Sequence, residues 1–187
     1  VLKMWKEEGK DYCISVNISA RNIENDSIVE HIEKKIKDYN LNPEKLILEI
    51  TETSIINDYE KVNNALERLK SLGIKIAIDD FGTGYTNWIY FSLLPVDYIK
   101  ICNSFVKQLD NEKNQILIRK LIELCNALDI KVVAEGIETK ETEDLAKRLG
   151  FDYGQGYYYS RPFPEDELQN WIKVDRTSKE RYEYAKN

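Results

Sequence analysis

The chain has 187 residues, of which 42% are hydrophobic and 32% charged, an ordinary balance for a globular protein with one sizeable core. Lys and Arg total 27 against 33 Asp and Glu, so the net charge of −6 offers no basic field for duplex nucleic acid. Three Cys make no disulfide framework, and a single His excludes a multi-histidine zinc site and argues against a Ser-His-Asp triad. No apolar stretch approaches the roughly 20 residues of a membrane span and no signal peptide opens the chain, so we expect a cytoplasmic protein.

The first residues have the pattern of a helix end. Val1–Lys6 carries helical apolar spacing without an N-cap of its own and runs to Gly9. The first residue is also not Met. We therefore expect a fragment of a longer protein, beginning in the last turns of a helix.

Short runs rich in Val, Ile and Tyr predict six strands, at Tyr12–Val16, Leu46–Ile50, Ile74–Ile78, Tyr98–Ile101, Lys131–Ala134 and Gln155–Tyr159. These runs are apolar almost throughout, which is typical of parallel strands covered on both faces. Helical segments lie between them, with apolar stripes on Ile28/Ile32/Ile36, Val62/Leu66/Leu69, Leu117/Leu121/Leu124/Leu128 and Leu145/Leu149. One strand per helix predicts an α/β fold with a parallel sheet.

Helix boundaries in the sequence agree with this alternation. Gly73 and Gly150 each follow the last apolar position of a helix, where a C′ glycine belongs, and Thr139 occupies an N-cap position. Cys125 lies on an apolar helix face, and we expect it in the core.

Six βα units fit two architectures. They fit a TIM-type (β/α)₈ barrel that lacks its first two strands, since a closed barrel usually takes ~250 residues. They also fit an open doubly wound sheet. No internal linker divides the chain, so we expect one domain over residues 1–174 and a charged C-terminal tail over residues 175–187.

Residues capable of chemistry follow or end nearly every predicted strand: Asn17, Glu49, Glu52, Asp79, Asp80, Lys100, Glu135, Glu138 and Gln155. In a barrel the carboxyl ends of the strands converge on one mouth. Carboxylates brought that close repel one another and require a cation, and oxygen ligands without His or thiolate favour Mg²⁺ or Mn²⁺. Such a mouth suits phosphate ester hydrolysis by a metal-activated water.

Each of these residues also has a structural interpretation. Asp79 and Asp80 could cap a helix, Lys100 could be a solvated strand end, and Glu135 and Glu138 could be first-turn helix acids. Glu49 favours function most strongly, because it lies inside an apolar run where an unpaired carboxylate is costly.

Five segments occur in an order that resembles the EAL-type phosphodiesterase domain, which hydrolyses the bacterial second messenger cyclic di-GMP: Ser15–Ala20, Leu48–Glu52, Asp79–Tyr85, Ala134–Thr139 and Gln155–Tyr157. The resemblance covers about Val1 to Trp171. It implies a (β/α)₈ barrel with one antiparallel strand, and so favours the barrel over the open sheet. The implied reaction gives linear pGpG.

The resemblance implies roles for the polar residues at the ends of the first three strands and for Glu52. It assigns Mg²⁺ or Mn²⁺ binding to Asn17, Glu49 and Asp79. Asp80 matches a position that binds the metal or a bridging water. Glu52 matches the glutamate that holds the loop Phe81–Asn87 in its working conformation.

The later strands receive the remaining roles by the same resemblance. Lys100 matches the lysine that contacts the nucleophilic water, and Glu135 matches a proposed general base or metal-site residue. Glu138 and Gln155 match positions that line the site.

Two departures from the family pattern open a second hypothesis. The Glu-Ala-Leu segment with its metal-binding glutamate is expected upstream of Val1, and Cys102 stands where an aspartate is usual. A neutral thiol does not suit a hard ion, which weakens support for a second metal. We expect an enzyme whose isolated fragment is inactive; the alternative is a degenerate domain that binds cyclic di-GMP or a protein. A homodimer and upstream sensory or diguanylate-cyclase domains are further expectations.

Overall fold

The structure, a computed structural model, describes residues 1–23, 26–55, 59–83, 93–165, 167–168 and 171. Its contacts divide the chain into two compact units, Val1–Ile99 and Lys100–Asn187. The expected tail over residues 175–187 lies outside the described residues. None of the described helices combines the length and apolarity that a membrane crossing requires.

The first unit contains three parallel strands, β1 (Ile14–Asn17), β2 (Leu46–Thr51) and β3 (Lys75–Phe81). They lie in the order β1–β2–β3, with Ile14 opposite Leu46 and Glu49 opposite Ala77. The apolar side chains of β3 are buried, as are Leu48 and Ile50 of β2, in agreement with their apolar runs. β3 runs three residues beyond the predicted Ile78, because its pairing with β2 continues to Thr51 opposite Asp79.

The helices of the first unit are α1 (Leu2–Glu7), α2 (Ala20–Ile23), α3 (Asp26–Asp38), α4 (Glu52–Ile55) and α5 (Tyr59–Ser71), with a 3-10 turn at Pro43–Lys45. The predicted stripe on α5 is confirmed, since Val62, Leu66 and Leu69 are fully buried. Gly73 follows this helix with φ +91° and donates its N–H to the Lys70 carbonyl, as a C′ glycine does.

The second unit begins within β4 (Tyr98–Ile101) and continues with β5 (Lys131–Ala134) and β6 (Tyr153–Gly154). β5 and β6 are parallel, with Ala134 opposite Gly154. Its helices are α6 (Asn103–Val106), α7 (Glu112–Ala127) and α8 (Lys140–Leu149). Thr139 caps α8 by accepting a hydrogen bond from the Thr142 N–H, and Gly150 ends it in the left-handed conformation, both as predicted.

In each unit, an aspartate just before one strand binds the backbone near the start of the strand that precedes it in the sequence. Asp97 accepts hydrogen bonds from the Ile76 N–H at 2.9 Å and from the ammonium groups of Lys70 and Lys75 at 2.7 and 3.1 Å. Asp152 accepts from the Val132 N–H at 3.0 Å and from Lys131 at 3.1 Å. Burial opposes ionisation of Asp97, but these hydrogen bonds outweigh it and lower the pKa of the carboxyl below its usual value.

The predicted sixth strand over Gln155–Tyr159 is wrong in position. The strand is Tyr153–Gly154, and the tyrosines that follow lie in a turn closed by the Tyr158 N–H on the Ile137 carbonyl. Gly156, at the start of this turn, packs so closely on the main chain of Ile137 that no Cβ would fit there.

The leucine stripe of α7 exists, but it does not face the core. Ile118, Ile122 and Cys125 are the buried residues, whereas Leu117 is 60% exposed and Leu124 and Leu128 are also exposed. The two stripes lie side by side on one helix, so the apolar period alone cannot select between them. Cys125 is in the core as expected, and burial raises the pKa of its thiol to about 12.

Candidate active site

In the first unit, three oxygen-bearing side chains lie at the carboxyl ends of adjacent strands. Asn17 in β1 is the register partner of Glu49 in β2, and Asp79 in β3 lies two residues beyond Ala77, the partner of Glu49. Because side chains alternate along a strand, Asn17, Glu49 and Asp79 project from the same face of the sheet. The structure thus brings these three predicted residues together.

The four predicted ligand residues of these strands differ in exposure. Glu49 is only 7% exposed, Asp79 is half-buried, and Asn17 and Asp80 are exposed. A carboxylate buried as deeply as Glu49 must be hydrogen-bonded, paired or bound to a metal to remain ionised. The group therefore joins an enclosed carboxylate to solvent-facing oxygen atoms.

Asp80 has an unusual backbone conformation at the end of β3. Its φ is +54°, in the left-handed region that aspartate tolerates better than most residues. Its N–H donates to the Asp79 carboxylate at 3.0 Å, and its carbonyl accepts from the Thr83 hydroxyl at 2.9 Å. This turn holds the Asp79 carboxylate and separates the directions of the two aspartates.

Glu52 connects α4 to the segment that follows β3. The residue is buried, and its Oε2 accepts a hydrogen bond from the Gly82 N–H at 2.8 Å. This contact gives a physical basis to its predicted role in holding the loop Phe81–Asn87. Residues 84–87 of that loop lie outside the described residues.

The second unit holds a buried ion pair between Lys100 in β4 and Glu135, directly after β5. Lys100 Nζ lies 2.9 Å from Glu135 Oε1, and the two side chains are 6% and 14% exposed. The Glu135 N–H donates to the Ile101 carbonyl at 3.1 Å, which fixes the backbone of the glutamate beside β4. Both charges are therefore held in fixed positions away from bulk water.

The backbone after β5 is fixed by contacts that the sequence reasoning did not identify. Gly136 has φ +69°, and a side chain there would collide with the side chain of Asn103. The Gln155 N–H donates to the Ala134 carbonyl at 2.8 Å, and the Gln155 carbonyl accepts from the Ile137 N–H at 3.0 Å. A glycine directly after Glu135 was the available signal for this close approach.

The remaining predicted residues of the second unit are more exposed. Glu138 lies 3.1 Å from Lys107 Nζ, and both side chains are about half exposed, so the pair contributes little stability. Gln155 is exposed, and its backbone contacts are those given above. Neither is part of the buried Lys100–Glu135 pair.

Cys102 is buried two residues beyond Lys100. It lies directly after β4, in an extended conformation, at the N-cap position of α6. Its Sγ lies 3.0 Å from the Ser104 hydroxyl oxygen. The thiol therefore occupies a small buried position with a neutral hydrogen-bonding partner.

The chemistry of the candidate metal ligands in the first unit fits a hard divalent cation. Asn17, Glu49 and Asp79 offer one amide and two carboxylate groups at one edge, the oxygen ligands that Mg²⁺ and Mn²⁺ prefer. Over the described residues, no three Asp, Glu, His or Cys side chains lie close enough together to hold a metal ion. In the candidate set, the amide of Asn17 would be the third ligand beside the two carboxylates.

Comparison with protein families and curated proteins identifies relatives over nearly the whole chain. Residues 1–162 match the model of the EAL domain family. The chain is 37% identical over 92% of its length to the Pseudomonas aeruginosa cyclic di-GMP phosphodiesterase PA2567, of which it covers 30%. It is 36% identical over 87% of its length to the Shewanella oneidensis cyclic di-GMP phosphodiesterase PdeB, of which it covers 19%. The chain thus spans less than a third of these curated relatives.

Solved structures agree with this assignment. The PaMucR phosphodiesterase, solved as a c-di-GMP complex, matches with TM-score 0.82 and 33% identity over 89% of this chain and 68% of that one. The EAL domain of Mycobacterium smegmatis DcpA matches with TM-score 0.85 and 32% identity over 92% of this chain and 79% of that one. The predicted fold class, an incomplete TIM-type barrel, is confirmed against the open doubly wound sheet. The chain belongs to the EAL domain family.

Proposed function

We propose that the protein carrying this chain hydrolyses cyclic di-GMP to linear pGpG in the presence of Mg²⁺ or Mn²⁺. The carrying observation is the buried Lys100–Glu135 pair, at 2.9 Å, in a chain that belongs to the EAL domain family. Two relatives named as cyclic di-GMP phosphodiesterases support the choice of substrate.

The first unit would supply the cation ligands. Asn17, Glu49 and Asp79 would hold the ion, and Asp80 would hold it or a bridging water. A bound Mg²⁺ or Mn²⁺ supplies Lewis acid polarisation of the phosphodiester and lowers the pKa of bound water. Glu52 would fix the backbone after β3 through its hydrogen bond to Gly82.

The second unit would supply the groups that handle water and charge. Lys100 would orient the attacking water and stabilise negative charge developing on the phosphoryl oxygens. Glu135 would accept the proton of that water. In the balanced step, the water oxygen bonds to phosphorus, the bond from phosphorus to the 3′ oxygen breaks, and that oxygen leaves with a proton.

The proposal concerns the full-length protein, since the chain covers 68% to 79% of the two solved EAL chains compared above. We propose that residues 1–187 alone have little activity. We also propose a cytoplasmic location, a homodimer, and upstream domains. One relative, the Pseudomonas aeruginosa MucR, is named as a bifunctional diguanylate cyclase and cyclic di-GMP phosphodiesterase, and the chain covers 25% of it.

A second candidate function rests on Cys102. Its buried thiol lies against Ser104 where the family pattern has an aspartate, and a neutral thiol adds no negative charge beside a hard ion. A protein that binds cyclic di-GMP without turnover would follow if the metal site were too weak. Binding and hydrolysis must therefore be measured on the same sample.

The substitution Lys100→Met tests the proposed chemistry in the full-length protein. Loss of the ammonium should lower kcat by about 10²- to 10³-fold, the usual cost of removing one charge-stabilising donor. The matched control is Lys120→Met, because Lys120 is exposed on α7 and pairs with Glu123. An unchanged kcat in Lys100→Met would contradict the role given to the lysine, and tight binding without any turnover in the wild type would favour the second function.

A further inference from the structure

We propose a second ligand site in the first unit, at the amino ends of β1 and β2, for a ring-bearing organic monophosphate of mononucleotide size. A cavity of about 500 Å³ lies there, within the ~300–1,000 Å³ usual for small-molecule sites, and its walls include Trp5, Lys6, Lys10, Asp11, Tyr12 and Lys45. Tyr12 precedes β1 and Lys45 precedes β2, whereas Asn17 and Glu49 lie towards the other end of these strands. The proposal is therefore independent of the proposed hydrolysis.

The walls of the cavity are cationic in an acidic protein. They carry three lysines and one aspartate, although the whole chain has a net charge of −6. Lys6 Nζ donates to the Asn40 carbonyl at 2.6 Å. This contact fixes the position of the ammonium group without neutralising its charge, which leaves it able to attract an anion.

The other two lysines are paired with carboxylates that water can reach. Lys45 Nζ lies 2.7 Å from an oxygen of Asp11, whose side chain is 87% exposed, and Lys10 Nζ lies 2.5 Å from an oxygen of Glu8. The hydrogen bond that Lys45 donates to Asp11 is the main cause of the raised pKa of this lysine. Water competes for the carboxylate of each pair, whose side chains are 41% and 87% exposed, so a phosphate dianion can compete for both ammonium groups.

An apolar wall completes the cavity. The rings of Trp5 and Tyr12 are 5.4 Å apart in an edge-to-face arrangement, and Trp5 is buried. Leu2 and Leu41 also line the cavity. A planar ring packs favourably on such a surface while its phosphate reaches the lysines, and this combination of groups selects a nucleotide-like monophosphate over phosphate alone.

Isothermal titration of the full-length protein with adenosine monophosphate tests the site, because this probe is not the proposed substrate. We expect saturable binding of adenosine monophosphate. Adenosine and inorganic phosphate should each bind at least about tenfold more weakly, since each lacks one of the two recognised parts. Lys45→Glu and Lys10→Glu should each weaken binding by about tenfold or more. Lys120→Glu, another exposed lysine in an ion pair, should bind as the wild type does.

The position of the ligand is checked by the indole resonance of Trp5, assigned with Trp5→Phe, which should shift on addition of the probe. Absence of saturable binding would overturn the proposal. Wild-type affinity in both lysine variants, or an equal loss in Lys120→Glu, would overturn it too. Competition by cyclic di-GMP would assign the probe to the EAL site instead and would also overturn it, without affecting the proposed hydrolysis.

Discussion

At the scale of single residues, burial of a charge does not by itself mark the functional site. Five charged residues are buried among those described: Glu49, Glu52, Lys100, Glu143 and Asp152. Two of them are structural, since Glu143 is held between Lys140 and Lys147 on α8, and Asp152 clamps the start of β5. The other three lie at strand ends or bind the segment after β3. Burial alone therefore does not separate the candidate site residues from the structural ones.

Cys102→Asp is the residue-scale prediction. The substitution restores the aspartate that is usual in the EAL pattern, and a carboxylate suits a hard ion where a thiol does not, so we expect tighter binding of Mn²⁺ and a higher rate of hydrolysis in the full-length protein. Titration with Mn²⁺ at fixed cyclic di-GMP measures both quantities. Cys102→Ser is the matched control, because it keeps the size and the neutral charge. A titration unchanged by Cys102→Asp would show that position 102 does not influence the metal site.

The sequence predicted which residues lie at the candidate site better than it predicted their backbone conformations. Glu49 was recognisable because a carboxylate interrupts an apolar run, and the structure buries it. The left-handed conformation of Asp80 was not predictable, because it depends on the Thr83 contacts after β3. The packing of Asn103 on Gly136 was equally hidden, since it joins residues 33 positions apart along the chain. Tertiary contacts of this kind leave no local pattern in the sequence.

At the scale of elements, the strands were predicted well where their apolar runs are buried. β4 and β5 have the predicted bounds, and β2 differs by one residue. β1 begins two residues after the predicted Tyr12 and ends one residue after Val16, and β3 runs three residues past Ile78. The other errors fall where a run of apolar or aromatic residues has another use. The Tyr157–Tyr159 run is a turn after Gly156, and the leucines of α7 are exposed beside the buried Ile118 and Ile122. Hydrophobic periodicity identifies a helix or a strand, but it does not show which face of that element is buried against the rest of the protein.

The clamp on β3 gives a stability prediction with a definite pH dependence. Asp97→Asn should lower the free energy of unfolding by about 1–3 kcal/mol at neutral pH, because it removes the charge from hydrogen bonds to Lys70, Lys75 and Ile76. Since the pKa of Asp97 is lowered in the folded state, its stabilisation is complete above the usual aspartate value, near 3.8, and is lost as the pH falls further.

Urea denaturation at a series of pH values measures this effect. The difference between wild type and Asp97→Asn should be constant from about pH 8 to pH 5 and should shrink below about pH 4. Asp110→Asn, at an exposed aspartate, is the control and should change stability little. An equal difference at about pH 3 and pH 7 would show that the charge of Asp97 does not carry the stabilisation.

At the scale of the whole molecule, two apolar surfaces favour association with a second copy. Val16 on β1 is 44% exposed, and Leu117, Leu124 and Leu128 are exposed along α7. Exposed strand edges and contiguous apolar surface are common association sites. We therefore expect residues 1–187 to have a mass in solution above the 21.9 kDa of one chain.

Light scattering after gel filtration measures that mass. The double substitution Leu117→Glu with Leu124→Glu should reduce association if α7 contributes to the contact. Ile116→Glu is the matched control, since Ile116 is equally exposed but lies off the leucine stripe. A monodisperse monomer at all concentrations would contradict the prediction.

Formation of pGpG by the full-length protein in oxygen-18 water is the measurement that tests the central claim most directly. With Mg²⁺ or Mn²⁺ present, cyclic di-GMP should be converted to linear pGpG carrying one labelled oxygen on its terminal phosphate, because water attacks phosphorus. A chelator should stop the reaction. Cyclic di-GMP recovered intact at saturating metal, or product formed without the label, would contradict a metal-dependent hydrolysis by this EAL domain.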